Sequence, residues 1–432
     1  CSLLIFSKLL YLSVALYSPS LAMQQALGLS MWVSLVLVAL VCIAYSALGG
    51  IKGVIFSDVF QFVVITVGLL TILISGLVKI GGFSNMATAN RYGDRIEFFV
   101  FNFDPRTRHT FFSLIIGSCG LTLGVYSFNQ VNVQRFLTIR TNKLTTIAIY
   151  LNLLGLCFSV IICMLIGMVM YAYYKSCDPY LNGTIAKYDL ILPLFVTEII
   201  GSIPGFTGLL LATICSGTMS SVSSSLNSMA AVVLYDFIKP FSKSTNFTHW
   251  VMVLRIITVI LGLVSFALTF FISRVPFVLQ AALSILGMYS GPVTGLFLIG
   301  FYFPFVQWKA ALSGFTSSIL FQTWLLIGTI LYATELQTPT KLMNTSGCTN
   351  LNASEWTNTS EPTELTGILG FYAISYMWHS ITGIISCMFV VLIVSIVIGD
   401  YKQRVDVDEK LIIRLFKKSK LKESDTENIE VL

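Results

Sequence analysis

"SGTMSSVSSSLNSM", residues 216–229, packs eight hydroxyl side chains into the thirteen residues from Ser216 to Ser228. The chain around it is 56% hydrophobic and only 11% charged over 432 residues. On a helix turning by about 100° per residue, Gly217, Ser220, Ser221, Ser224 and Ser228 share one face. Cys215, Met219, Val222, Leu226 and Met229 take the opposite face, so the stretch reads as a polar stripe with an apolar back.

Two chemistries fit that stripe. The first is helix packing: Gly217, Ser221 and Ser225 follow a small-xxx-small spacing, and serines bond to carbonyls one turn back. The second is a cation site, because neutral hydroxyl and carbonyl oxygens suit a hard monovalent ion such as Na⁺. Such a site also releases its ion readily, as a carrier must, and transporter sites lie near mid-membrane, where this stripe falls within its span. Eight hydroxyls exceed what packing needs, and the cation reading is preferred.

The rest of the chain sets that stripe in a membrane. Mean hydropathy is +0.84. Apolar runs of spanning length recur at 2–20, 28–50, 54–79, 111–131, 144–174, 204–236, 250–273, 276–304, 309–334 and 365–399. Lys8 interrupts the first and Pro19 is expected to close it. Backbone groups in hydrocarbon must be satisfied within the chain, and the alternation of barrel strands is absent, so the spans are expected to be helices. The fold class is an all-α polytopic membrane protein with about ten transmembrane helices. The opening "CSLLIFSKLL" lies inside an apolar run with no basic lead-in, and the N-terminus is read as incomplete.

Orientation follows from charge and sequons. The tail 400–432 carries Lys402, Arg404, Lys410, Arg414, Lys417, Lys418, Lys420 and Lys422, which favours the cytoplasm. Asn182, Asn344, Asn352 and Asn358 head glycosylation sequons in loops assigned outside, 335–364 among them, whereas the sequon at Asn246 falls inside. Seven of nine cysteines lie in apolar spans as small hydrophobes. Cys177 and Cys348 face the oxidising side, and sequence leaves open whether they pair. The C-terminal "EVL" offers a PDZ-type contact or has no role.

No enzyme chemistry shows. His109, His249 and His379 are scattered, and there is neither a phosphate loop nor a nucleophile elbow. The net charge of +6 comes mostly from the tail and reflects topology rather than nucleic-acid binding. Na⁺ as coupling ion is the only cofactor-like species expected.

Two further stretches bear on the stripe. In "YSALGGIKGVIFSDVFQFVV" (45–64), a Gly pair ends one span and Asp58 lies about five residues into the next, roughly 8 Å along its axis. An acid at that depth is a functional candidate, although a helix N-terminus also stabilises it. In "GSCGLTLGVYSFNQVNVQR" (117–135), Gly117, Gly120 and Gly124 precede Tyr126, Asn129 and Gln130. Glycines at mid-depth allow unwinding around a solute, and they equally allow close packing. Arg135, with Arg140 and Lys143, reads as a cytoplasmic anchor.

Together with "FPFVQWKAALSGF" (303–315), these stretches resemble the solute:sodium symporter family, with similarity from residue 1 to about 399. The resemblance implies a LeuT-type fold of two inverted five-helix repeats that lacks its first core helices here, residue 1 falling in the third. It implies a transporter domain over 1–399 in the plasma membrane, with the tail cytoplasmic. It also implies a Na⁺ site built in part from Gly217 (backbone), Ser220 and Ser221, with Asp58 near the ion's cytoplasmic exit. Gln130 matches a substrate-contacting position, beside Tyr126 and Asn129. Sugar carriers commonly have Asp-Gln where this chain has Asn129-Gln130, and losing that acid suits an anion. The expected partners are therefore Na⁺, the lipid bilayer and a small organic anion. Monocarboxylates such as lactate, pyruvate and short fatty acids come first, with biotin/pantothenate or iodide behind them. A truncated chain acting as a sensor, or simply a fragment, is the reading of another class.

Overall fold

The computed structural model describes residues 2–97, 99–201, 203–242, 247–273, 278–332, 347–348 and 367–399. Among these, nine helices are long and apolar enough to cross a membrane, ten when one bent pair is taken as a single span. In chain order they are α1 (Ser2–Leu27), α2 (Met31–Gly50) and α3 (Gly53–Ile80), then the short α4 (Phe83–Tyr92). The bent pair is α5 (Ser113–Ser127) and α6 (Gln130–Leu137). There follow α7 (Asn142–Tyr174), the short α8 (Ile191–Ile200), α9 (Phe206–Phe241) and α10 (Thr248–Ile272). Last come α11 (Val278–Tyr302), α12 (Trp308–Leu331), the short α13 (Ile368–Tyr372) and α14 (Tyr376–Ile398).

Local chemistry sets these boundaries. Ser30 caps α2, its hydroxyl accepting from the Val33 N–H at 3.4 Å. Gly50 takes φ 56°, a left-handed value that bends the chain between α2 and α3. Gly81 closes α3 in the αL conformation at φ 85°. Pro19 does not close α1: it lies buried within a helix that runs on to Leu27. Pro19 has no N–H and so leaves the Ala15 carbonyl without its helical donor, a loss that membrane helices tolerate.

The stripe helix α9 stands at the centre. Its apolar back, Val222, Leu226, Met229 and Ala230, packs with Leu12 and Leu16 of α1, Leu35 and Cys42 of α2, and Ile257 and Leu261 of α10. Its N-terminal part joins a second cluster through Leu210, with Ile72 of α3, Val169 of α7 and Phe195 of α8. α9 also presses on α3, where a Cβ on Gly68 would run into Thr213. A separate group links α11, α12 and α14 through Ile299, Ala310, Cys387 and Val391. The glycines of α5 are packing positions against that group: a Cβ on Gly117 would meet Met377, on Gly120 Ile381, and on Gly124 Ser290.

Candidate functional site

The turn at Gly50 lets α3 restart beside α9, and Asp58 near the start of α3 meets the stripe. Ser220 Oγ donates to Asp58 Oδ1 at 2.7 Å. Arg135 Nη2 donates to Asp58 Oδ2 at 2.5 Å and also to Ser224 Oγ. Ser224 Oγ donates onward to the Ser220 carbonyl at 2.8 Å. The Asp58 side chain is 18% exposed and that of Arg135 39%, so this ion pair is half-withdrawn from solvent. An acid inside an apolar span needs such partners, because an unpaired charge there is costly. Arg135 is therefore not a cytoplasmic anchor: it turns inward to the carboxylate, 77 residues away in sequence.

The stripe divides into an open and a closed part. Gly217 is exposed, and a Cβ there would touch only Ile65, at 4.0 Å. Ser220, Ser221 and Ser224 are half-buried on the same face, and Ser221 Oγ donates to the Gly217 carbonyl at 3.2 Å. Ser216, Thr218, Ser223, Ser225 and Ser228 are buried among the helices. Ser228 keeps its place on that face but is 1% exposed, because neighbouring helices cover the face at this level. The lower half of α9 is enclosed on more sides than its middle, because Met229 and Ala230 beside Ser228 are fully buried against α1, α2 and α10. Packing and an open polar face therefore coexist on one helix.

The second candidate group sits where α5 gives way to α6. The chain runs through π-helical turns at Ser113–Gly117 and Leu123–Ser127, leaves helical geometry at Phe128 and Asn129, and restarts at a 52° bend. Asn129 caps the new helix, its Oδ1 accepting from the Val131 N–H at 3.1 Å. Asn132 Nδ2 donates to the Val125 carbonyl at 2.8 Å, satisfying an oxygen released by the break. Tyr126, half-buried in the π turn, and Gln130, first residue of α6, flank this opening with Asn129. Asn129 and Asn132 thus bond to the backbone at the interruption itself.

The loops between the spans carry the remaining candidates. Cys177 and Cys348 form a disulfide with a Cα–Cα distance of 5.0 Å. Asn182 lies in the turn after Cys177, its Nδ2 donating to Thr184 Oγ1 at 3.3 Å. Asn246, Asn344, Asn352, Asn358 and the tail 400–432 lie outside the described residues. Between Asn182 and α8, Lys187 Nζ donates to Tyr17 Oη at 2.8 Å and to the Ser273 carbonyl at 3.0 Å. Asp189 accepts from the Val278 N–H at 3.3 Å. A cation thus caps the end of α10 and an anion the start of α11, each with the favourable sign for its helix dipole. Sequence reasoning passed over Lys187, and only its loop position hinted at a cap. His109 Nε2 bonds Tyr376 Oη at 2.7 Å, and burial beside Arg108 holds this histidine below its ordinary pKa.

Long apolar helices, one of them broken and bent beside a second that bears a polar stripe, define a class of protein. Such interrupted helices build solute sites in secondary transporters. The model of the sodium:solute symporter family matches residues 1–318, and this chain belongs to that family. It is 37% identical over 413 residues to the mouse (Mus musculus) sodium-coupled monocarboxylate transporter 2, covering 94% of this chain and 66% of that protein. It is 32% identical over 419 residues to the human (Homo sapiens) sodium-coupled monocarboxylate transporter 1, covering 94% and 68%. The chain thus spans about two thirds of the length of these relatives. A solved sodium-coupled sialic acid symporter, in a substrate-bound outward-open state, superposes with a TM-score of 0.65 at 24% identity, covering 91% of this chain and 73% of that one. The all-helical, LeuT-like fold is therefore shared.

Proposed function

We propose that this protein is a sodium-coupled symporter of small organic anions, with monocarboxylates such as lactate, pyruvate and short-chain fatty acids as its cargo. One observation carries the reading: Asp58 of α3 and Ser220 of α9 meet at 2.7 Å beside the open face of Gly217 and Ser221. In this reading the Gly217 carbonyl and the Ser220 and Ser221 hydroxyls contact Na⁺, and Asp58 receives the ion on its way to the cytoplasm. A single carboxylate among neutral oxygens holds a monovalent ion without trapping it. Membership of the family supports the coupling ion, and the monocarboxylate transporters at 32–37% identity support the cargo.

Tyr126, Asn129 and Gln130 supply the solute contacts, with amides and a hydroxyl in place of an acid that would repel a carboxylate. A multivitamin or iodide carrier is the second reading, because these are anions that the same acid-free opening would admit. Residues 1–399 then form the transporter domain in the plasma membrane. Asn182, Asn344, Asn352 and Asn358 accept sugar outside, and the tail lies in the cytoplasm. In the sensor reading the site binds without accumulation. Competition against labelled lactate uptake in sodium medium tests the assignment: pyruvate and butyrate should compete, and biotin, iodide and glucose should not. Competition by biotin or iodide alone would replace the monocarboxylate reading with the second one.

A further inference from the structure

α6 is an unusual element. None of its eight residues is fully buried, and seven are only partly covered. What ties it down is polar: the Asn129 cap and the Asn132 bond at its start, and Arg135 near its end. Arg135 reaches across to α3 and α9, through Asp58 and Ser224. Elements held by few buried contacts are those that move most cheaply.

Arg135 also holds the position a cation would claim. Asp58 Oδ1 is taken by the Ser220 hydroxyl and Oδ2 by the guanidinium. The same Nη2 lies on Ser224, one turn beyond Ser220 on α9. A monovalent ion drawing on Asp58 and Ser220 would face a fixed positive charge on the same carboxylate, half-withdrawn from water, where like charges repel strongly.

We propose that Arg135 is a positioning residue that exchanges with Na⁺ on Asp58, and so links ion occupancy to the position of α6. With the ion absent, the guanidinium neutralises Asp58 and holds α6 against α9. Arrival of the ion displaces Arg135, and α6 swings about the break at Phe128 and Asn129. Gln130 and Arg135 lie at opposite ends of this one short helix, so releasing the second re-aims the first. Sodium and solute are coupled through that movement. The inference rests on the reading of Asp58 and Ser220 as sodium contacts.

The test measures the half-saturating Na⁺ concentration of lactate uptake, and the lactate half-saturation at low and high Na⁺, each normalised to surface protein. Arg135→Gln removes the competitor and should lower the Na⁺ requirement about tenfold, within the usual range of coupling between sites. It should also collapse the dependence of lactate affinity on Na⁺, because linkage is reciprocal. Arg135→Lys keeps the charge but not the forked reach to two partners, and should fall between. It also serves if Arg135→Gln fails to reach the surface. An unchanged or raised Na⁺ requirement in both variants, while Asp58→Asn and Ser220→Ala still alter it, would overturn the exchange and leave the sodium site standing. No change in any of the four variants would overturn the sodium site, and the exchange with it.

Discussion

Replacing Ser220 with alanine is the sharpest perturbation of the stripe. The wild-type hydroxyl donates to the Asp58 carboxylate at 2.7 Å, and its own carbonyl accepts from Ser223 and Ser224. Alanine leaves the carbonyl in place and removes only the bond to the charged group. A hydrogen bond to a charged partner contributes about 1.5–3 kcal/mol, and a missing oxygen on a small cation costs a similar amount. At 1.4 kcal/mol per decade, apparent Na⁺ affinity should fall by roughly ten- to a hundredfold. Ser221→Ala should act in the same direction, since its hydroxyl donates to the Gly217 carbonyl at 3.2 Å and its oxygen lone pairs stay available to an ion. Ser223 and Ser225 are 0% and 4% exposed and serve packing, which accepts alanine in place of serine. Ser223→Ala and Ser225→Ala should therefore leave the sodium curve nearly unchanged. The assay is sodium-dependent uptake of labelled lactate at fixed surface expression. Equal shifts at all four positions would refute the cation reading and leave the serines as packing residues.

Further outcomes follow from the same geometry. Asp58→Asn should change sodium dependence or turnover more than surface expression, and an unaltered sodium curve would reduce Asp58 to a helix-end acid. Sugar should appear on Asn182, Asn344, Asn352 and Asn358 and not on Asn246, read as mobility shifts on deglycosylation of single Asn→Gln variants; sugar on Asn246 would reverse the orientation of every loop. Lys187→Met removes the caps on Tyr17 and Ser273 and should lower stability by about 1.5–3 kcal/mol, the range for charged hydrogen bonds. His109 has a folded pKa below its unfolded value of about 6.5, so the unfolded state binds more protons in that window. Stability from this site should be complete above about pH 6.5 and decline as pH falls toward the folded pKa, and His109→Gln should remove that component of the unfolding midpoint.

Much of the architecture was legible because hydrocarbon permits so few solutions. Ten apolar runs became nine helices and one bent pair among the described residues, and the Gly49–Gly50 pair marked the break before α3. The span around 111–131 was harder to read, since its hydropathy runs across a break. The amides at Asn129 and Asn132, which cap and satisfy that break, were the available signal. Arg135 was misread for a different reason. A basic residue at the end of an apolar run is usually an anchor, and its pairing with Asp58 depends on a fold that brings residues 77 positions apart together. Pro19 was misread as a stop because the rule for soluble helices neglects the tolerance of membrane ones. The burial of Ser228 depended on which neighbours enclose α9, and helical geometry within one element carries no such information.

The central claim is that an inward sodium gradient drives a small anion through this fold. Proteoliposomes containing the full-length protein, with labelled lactate outside and either sodium or choline chloride imposed as the gradient, test it most directly. The account predicts transient accumulation of lactate above its outside concentration in sodium, no accumulation in choline, and loss of the sodium effect in Ser220→Ala at the same sodium concentration. Equal lactate entry in sodium and choline, or binding without accumulation, would contradict it.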